Sequence, residues 1–315
     1  CNVLFSGDLE ESGWKKLLER MPELKCEILK MPHHGAFYDE KSGIGLKQIL
    51  EILQPRDVII SSGDNKKYKH PDIQTIELLK EKNIKVYCTE FTSLCHCNAN
   101  EFNRKCYGDI EIAVTDTAYE IRTEKENFSL LLNEIAKKNF LFDSIEDIFK
   151  EKDRRVIITF DDIFQNAYEN AIPILNERNI PYTVFITSEY VDKEGYITSS
   201  EVEKLKQNKL CTVGFHANKH DLMCDLSDDD IKVNTSAKTF ERRFDIKCDY
   251  FAFPFGSVYA CPKRSVSIAS TQGYKAVFST IDSPVSNNDI RRNPWFIPRI
   301  CVSDHKWENI LKKLS

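Results

Sequence analysis

The stretch RRVIITFDDIFQNAYENAIPILNERNIPYTVFIT, residues 154–187, decides the fold class. It begins with a nearly continuous apolar run that ends in two acids, Asp161 and Asp162. The segment NAYENAIPILNERN follows with helical spacing, and a second apolar run, YTVFIT at 182–187, closes the stretch. Short apolar strands separated by a helix are typical of a parallel sheet that is covered on both faces. The sequence therefore predicts an α/β protein.

The same alternation continues toward the end of the chain. A helical segment at 202–209 leads to the short strand TVGFH, and residues 227–244 predict another amphipathic helix. Further strands are predicted in YFAFPFG, YKAVFST and FIPRICV. This order is compatible with a parallel barrel and with a doubly wound sheet.

The first part of the chain also alternates between strands and helices. Strands predicted at 3–6 and 57–62 precede amphipathic segments at 10–20 and 71–82. The charged stretch TEKEN at 123–127 carries no apolar residue, and the pattern behind it changes to helical spacing. We therefore predict two domains, 1–122 and 123–315.

Composition limits the classes of function. The 315 residues carry a net charge of −5, with acids and bases mixed throughout, so charge implies no nucleic-acid partner. No apolar run is long enough to cross a bilayer. Because the chain begins at Cys1 without an initiator Met, we expect that the natural N-terminus lies upstream.

The cysteines bear on the compartment. The eleven cysteines are scattered, which favours a reducing compartment, so we expect a cytoplasmic location with the cell envelope as the alternative. The local group Cys95, His96, Cys97 and Cys106 is compatible with a structural zinc site or with ordinary loop thiols.

Acids and histidines follow two of the predicted strands. Asp161 and Asp162 lie where catalytic groups of parallel α/β folds are found, and one acid can bind a metal while its neighbour faces water. His216 and His220 have H-x3-H spacing, which on a helical turn places two imidazoles on one face. Two imidazoles and a carboxylate leave zinc an open position for water. We therefore predict a catalytic site of Asp162, His216 and His220.

Three segments resemble the motifs of a known family. ITFDDIFQNAYENAIPILNERNIPYTVFIT, GFHANKHDL and YFAFPFGS are similar, in order and spacing, to motifs of the polysaccharide deacetylase family, carbohydrate esterase family four, and the likeness covers about residues 126–315. The resemblance implies a distorted (β/α) barrel that removes acetyl groups from N-acetylated sugars or polysaccharides. The type of glycan is left open.

The resemblance also implies roles for individual residues. Asp162, His216 and His220 would bind Zn²⁺ or another divalent metal, and Asp161 would be the general base. The N–H group of Phe255 would stabilise the oxyanion, and Arg299, in a predicted IPRI strand, would orient Asp161. The general acid is open between His305 and another group, since His305 is also compatible with a plain surface position.

Two positions depart from the family pattern. Ile163 replaces the usual glycine after the two acids, so it either crowds the mouth of the site or resists an unusual backbone angle. Ala217 replaces the usual Ser or Thr after the first histidine, which removes one hydrogen bond that braces the loop. An inactive carbohydrate-binding module is therefore an alternative function.

The segments VLFSGDLEESG, ILKMPHHGAF and VIISSGDNKKYKHP resemble the later part of competence-type metallo-β-lactamase-fold hydrolases, over about residues 1–115. This implies a partial αββα domain in which Asp8 and one of His33 or His34 are metal ligands. The main ligand motif of that family would lie upstream of Asp8, so we expect this domain to be inert as it stands. A second alternative follows: the main activity of the parent protein is that of a metallo-β-lactamase-fold phosphodiesterase.

Overall fold

The computed structural model describes residues 1–39, 43–61, 70–89, 110–114, 118–302 and 307–314. The chain divides into two compact units, Cys1–Phe128 and Ser129–Ser315. Each unit is described by itself below. The assignment of residues 1–122 and 123–315 to separate domains stays a prediction.

The first unit is built on a four-stranded parallel sheet whose strands lie in sequence order. The strands are β1 Val3–Phe5, β2 Ile28–Lys30, β3 Asp57–Ile60 and β4 Lys85–Cys88. The connecting helices are α1 Glu11–Arg20, α2 Leu46–Leu53 and α3 Ile73–Glu81. An antiparallel hairpin, β5 Ile110–Val114 and β6 Tyr119–Thr123, follows the sheet.

Strand β3 shows why this sheet folds. All four of its residues are buried because both faces are covered. On one face Val58 and Ile60 pack in a core with the buried side of α2, and on the other Ile59 packs with residues of the hairpin. The hydroxyl of Tyr119 donates to Asp57 at 2.6 Å, which gives the buried acid a partner.

Helix α4, Glu124–Lys137, leads into the second unit. A two-stranded parallel pair and a five-stranded parallel sheet follow. The pair is β7 Leu141–Phe142 and β8 Arg155–Val156. The five strands are β9 Ile158–Asp161, β10 Tyr182–Ile186, β11 Cys211–Phe215, β12 Tyr250–Ala252 and β13 Ala276–Phe278. The helices are α5 Gln165–Glu177, α6 Ser199–Gln207, α7 Asp228–Asn234, α8 Lys238–Phe244, α9 Lys263–Ser270, α10 Asn287–Arg292 and α11 Trp307–Lys313.

The strand order distinguishes the two architectures that the sequence left open. The five strands lie in the order β9 to β13 without reversal, which is the winding of a (β/α) barrel, whereas a doubly wound sheet reverses its order at a switch point. The predicted (β/α) barrel is confirmed, in the form of an open, curled half-barrel. All carboxyl ends of its strands therefore face the same edge.

Two secondary-structure predictions made from the sequence were wrong. Residues 227–244 form two helices, because the first ends at Asn234 and the second begins only at Lys238. The predicted IPRI strand is reduced to one bridge, Ile297 with Phe278, beyond which the chain leaves the sheet toward Arg299.

In the described part of the chain, no helix combines the length and the apolar character needed to cross a membrane.

Phe251 tests the packing of this core. Its side chain is fully buried in β12, and its ring lies 4.9 Å from Phe253 and 5.2 Å from Tyr274. We expect Phe251→Ala to lower the free energy of unfolding by about 3–5 kcal/mol, because it leaves a cavity that the sheet cannot close. Urea unfolding followed by circular dichroism measures it. The control Phe149→Ala, at an exposed phenylalanine, should cost far less, and equal costs would contradict this core.

Candidate metal centre

The two acids separate because the backbone reverses directly behind β9. Asp161 is the last residue of that strand, and Asp162 and Ile163 follow with φ angles of 59° and 35°. The N–H group of Ile163 donates to the carbonyl of Asp161 at 2.7 Å. This tight turn sends the two carboxylates to different partners. It therefore supports the expectation that neighbouring acids take different tasks.

The histidines lie on a loop, so the predicted helical turn was wrong. His216 continues the parallel ladder, since its N–H group donates to the carbonyl of Ile186 at 2.9 Å. Ala217 then takes a left-handed φ of 75°, which a helix does not contain. The chain reaches His220 through two bend residues.

Asparagine side chains hold the histidine loop in place of the missing Ser or Thr. The amide oxygen of Asn234 accepts from the N–H group of Lys219 at 2.7 Å, and its amide nitrogen donates to the carbonyl of Lys219 at 3.0 Å. The amide nitrogen of Asn218 donates to the carbonyls of Val233 and Ser236. Bonds to the last residues of α7 and to the turn behind it therefore brace the loop where the bond at Ala217 was predicted to be lost.

Asp162, His216 and His220 come together at the carboxyl edge of the sheet. One ligand atom from each lies within 4.8 Å of the others, and among the residues that the structure describes this is the group of three or more that can hold a metal ion. Asp162 Oδ2 lies 3.3 Å from His220 Nε2, and Asp162 Oδ1 lies 3.9 Å from His216 Nε2. Ligands about 2.0–2.1 Å from a tetrahedral zinc lie about 3.4 Å apart, which the pair of Asp162 and His220 matches, and two imidazoles with a carboxylate are ligand types that zinc takes.

The ring of His216 is fixed in the form that binds metals. Its Nδ1 lies 2.8 Å from the carbonyl of Ala252, which only accepts, so Nδ1 carries the hydrogen and Nε2 offers its lone pair to the site. The side chain is 2% exposed. Burial lowers the pKa of His216, against the opposing effect of Asp161 and Asp162, and so favours the neutral ring that a metal requires.

His220 is held by a hydrogen bond to its backbone and by contacts of its ring with two aromatic side chains. Its N–H group donates to Glu189 Oε1 at 3.2 Å. The ring of Tyr190 stacks at 6.0 Å between centroids, and the ring of Phe255 meets it edge-on at 4.5 Å. Unlike His216, this imidazole remains partly exposed, and so it borders the open side of the site.

Thr187 belongs to the site and was missed from the sequence. It follows β10, is fully buried, and its hydroxyl lies 2.7 Å from Asp162 Oδ1 and 3.2 Å from the carbonyl of His216. The hydroxyl therefore contacts the carboxylate of Asp162 and the backbone of His216, two members of the candidate metal group, at once. Its place directly behind β10, between the strand ends that carry Asp162 and His216, was the available signal.

Arg299 forms a two-point ion pair with Asp161, the other acid behind β9. Its two terminal nitrogens each lie 2.7 Å from an oxygen of Asp161, and its Nε donates to the carbonyl of Ser279 at 2.9 Å. Burial works to raise the pKa of Asp161, but Arg299, followed by His216, outweighs it and holds the pKa below its usual value. The carboxylate is thus ionised and fixed in orientation.

Phe255 lies in the turn behind β12 with a left-handed φ of 58°. Its carbonyl accepts from the hydroxyl of Thr280 at 2.6 Å, and the next residue, Gly256, bonds to the backbone of Thr280. A Cβ at Gly256 would lie 2.6 Å from the nitrogen of Thr280, so glycine is required there. The turn is anchored, and the phenylalanine side chain is half exposed.

The remaining candidate residues have separate outcomes. Ile163 is fully buried, so it adopts the unusual angle instead of crowding the mouth. His305 and the group of Cys95, His96, Cys97 and Cys106 lie outside the described residues.

In the first unit, Asp8, His33 and His34 follow β1 and β2 on loops that meet. The N–H group of His33 donates to the carbonyl of Gly7 at 3.2 Å. Nδ1 of His34 lies 2.5 Å from the carbonyl of Ser61. Within the described ranges, Asp8, His33 and His34 do not join a group of three possible ligands, and their role as metal ligands stays a prediction.

Residues 150–277 match the family model described as polysaccharide deacetylase. This part of the chain is a polysaccharide deacetylase domain. The chain is also 28% identical, over 191 residues, to the poly-beta-1,6-N-acetyl-D-glucosamine N-deacetylase of Staphylococcus aureus. The match covers 56% of this chain and 63% of that protein, so the chain spans less than two thirds of this relative.

Solved structures share the fold of the deacetylase domain. A deacetylase of Streptococcus pyogenes, PplD, superposes with a TM-score of 0.53 at 19% identity, over 61% of this chain and 87% of that one. IcaB of Ammonifex degensii superposes with a TM-score of 0.53 at 19% sequence identity, and the match covers 64% of this chain and 92% of that one. The chain is also 34% identical in sequence, over 87 residues, to ComE operon protein 3 of Bacillus subtilis. This match covers 28% of this chain and 11% of that protein.

Metal binding tests the histidine and aspartate set. We expect about one zinc per chain after dialysis, measured by mass spectrometry of the metal, and an affinity at least about 100-fold lower in His216→Ala, which removes a ligand. The control His34→Ala should retain the wild-type content. Zinc that is lost in His34→Ala and kept in His216→Ala would place the metal in the first unit.

Thr187 gives a sharper test, because the chain supplies a matched control. Thr187→Val should lower zinc affinity about 10- to 100-fold, since Asp162 loses the hydroxyl that orients it, while Thr187→Ser should keep most of the affinity. Thr183 lies in β10, the strand that Thr187 follows, is fully buried, and its hydroxyl has no hydrogen-bond partner among the described residues. Thr183→Val should leave affinity unchanged. Equal losses in both valine variants would show a packing effect only.

Proposed function

We propose that this protein is a metal-dependent hydrolase that removes acetyl groups from an N-acetylated glycan. The observation that carries the proposal is the convergence of Asp162, His216 and His220 at the carboxyl edge of a polysaccharide deacetylase domain. Poly-β-1,6-N-acetylglucosamine is the first substrate to try, because a relative is named for its deacetylation.

The reaction joins water to the acetamide carbonyl and then breaks its C–N bond, so acetate and a free amine are the products. A divalent ion held by Asp162, His216 and His220, for which zinc is our choice from the ligand types, would supply Lewis-acid activation of this carbonyl. Asp161 has the position and charge of the general base that takes the proton from water. Arg299 keeps Asp161 ionised and holds its carboxylate in one orientation through contacts to both oxygens.

Two further groups complete the proposed mechanism. The N–H group of Phe255 is suited to stabilise negative charge on the former carbonyl oxygen, since it lies in an anchored turn whose side chain contacts His220. The departing nitrogen needs a proton, which His305 or another acid would deliver.

The compartment is a separate proposal. Free thiols occur among the cysteines of the described residues, for example the buried Cys26 and Cys248, in keeping with a reducing compartment. We propose the cytoplasm, with the cell envelope as the alternative.

Acetate release tests the activity. We expect the zinc-loaded protein to release acetate from β-1,6-linked N-acetylglucosamine oligomers, with a matching gain of free amine. Asp161→Asn should lower kcat about 100-fold or more while zinc is retained, because the general base is lost. His216→Ala should lose both zinc and activity. Asp153→Asn, at an exposed acid, is the matched control and should behave as wild type.

The opposite outcome favours a binding module. If the wild type holds one zinc per chain and binds the oligomers but releases no acetate from β-1,6- or β-1,4-linked forms, the hydrolase proposal is wrong. Activity that survives His216→Ala would separate the reaction from this metal centre.

A further inference from the structure

Two cysteines lie close together behind the metal centre. Cys224 follows His220 by four positions, and Cys261 follows Phe255 by six. The N–H group of Cys224 donates to the carbonyl of Ala260, the residue before Cys261, at 3.0 Å. This bond keeps the Cα atoms of the two cysteines within about 7 Å, the limit up to which a disulfide can close.

The two thiols have different surroundings. Cys224 is exposed, whereas Cys261 is buried. The thiol of Cys261 donates to the carbonyl of Pro254 at 3.9 Å and accepts from the N–H group of Gly256. Cys261 therefore braces the turn that holds Phe255, and the exposed Cys224 is the thiol that an oxidant reaches first.

The backbone at Cys224 is held from a second side. Arg264, in α9, donates to the carbonyl of Cys224 at 3.3 Å and to that of Leu226 at 2.6 Å. Its guanidinium is fixed in turn by Asp228. Because the backbone at Cys224 cannot swing freely, closing a disulfide requires the sulfur of Cys261 to leave its place in the turn.

We propose that Cys224 and Cys261 form a reversible disulfide under oxidation, and that closing it loosens the turn of Phe255 and so lowers deacetylation. The sulfur that moves gives up its contacts with Pro254 and Gly256, which flank Phe255. The effect on deacetylation rests on the proposed function. The bond itself and its effect on the turn do not.

The oxidant is a low-molecular-weight disulfide, for which oxidised glutathione is the probe. The thiolate of Cys224 attacks one sulfur of glutathione disulfide, whose S–S bond breaks, and one glutathione leaves. The thiolate of Cys261 then attacks the sulfur of Cys224, and the second glutathione leaves. Two protein thiols are oxidised to one disulfide, while glutathione disulfide is reduced to two thiols that take up the two protons.

The thiols are guarded against casual oxidation. Burial raises the pKa of Cys261 to about 12. Desolvation, and then the hydrogen bond to Asp225, raise the pKa of Cys224 as well. Since the thiolate is the reactive form, the exchange is slow and needs a sustained excess of oxidant.

The first test maps the bond on the full zinc-loaded chain after incubation with oxidised glutathione. We expect tandem mass spectrometry to find the peptides of Cys224 and Cys261 linked, and dithiothreitol to separate them. Cys224→Ser should abolish the link. Cys301→Ser removes another exposed thiol of the second unit and is the matched control, which should keep the link.

The second test follows the turn and the reaction in the same samples. Deuterium uptake of residues 253–261 should rise on oxidation of the wild type and of Cys301→Ser, but not of Cys224→Ser. Acetate release from β-1,6-linked N-acetylglucosamine oligomers should fall at least about tenfold with the link, because an oxyanion donor is displaced. Reduced Cys224→Ser should match the reduced wild type and keep its activity with the oxidant.

Several results would overturn the inference. These are the absence of the link in oxidised wild type, a link of Cys224 to another cysteine, and a link that leaves deuterium uptake of the turn unchanged. Full activity of the linked protein would contradict its effect on deacetylation. A protein that forms the link and loosens the turn, but releases no acetate even when reduced, would instead refute the proposed function and leave the redox pair standing.

Discussion

The site depends on one constraint, the parallel course of β9 to β13 in sequence order. Because each strand returns through a helix to the same end of the sheet, every strand end delivers its next residues to one edge. Asp162 follows β9, Thr187 follows β10 and His216 follows β11, so residues far apart in sequence meet without any long-range motif. Arg299 reaches the same edge from beyond β13 and pairs with Asp161 at the first strand, which ties the two sides of the open sheet together.

Around this edge, buried polar bonds decide what each side chain can do. The carbonyl of Ala252 sets the tautomer of His216, and the hydroxyl of Thr187 sets the orientation of Asp162. Such partners are costly to leave unpaired in a dry interior, so they hold their groups more firmly than solvent would. The pair of Asp161 and Arg299 works in the same way. The acid keeps its charge despite burial because a guanidinium contacts both of its oxygens.

The features that could be predicted from the sequence are those in which polar side chains directly follow successive apolar strands. The parallel α/β class, the deacetylase family and the gathering of Asp162, His216 and His220 could be predicted, because an acid pair and a histidine pair directly follow apolar strands. The course of the histidine loop could not, since H-x3-H spacing fits a helical turn equally well and the left-handed Ala217 is imposed by the surrounding backbone. Thr187 and Asn234 were missed for a related reason. Their partners lie on other strands or loops, so the position of Thr187 behind an apolar strand marked it as a candidate without showing which side chain it contacts, and nothing local marked Asn234.

A crystal structure of the zinc-loaded protein with anomalous diffraction at the zinc edge locates the metal directly. We expect one strong peak, about 2.0–2.2 Å from a carboxylate oxygen of Asp162 and from Nε2 of His216 and His220, with Nδ1 of His216 still on the carbonyl of Ala252. A peak at His33 or His34, or none at the carboxyl edge of the five-stranded sheet, would contradict this assignment.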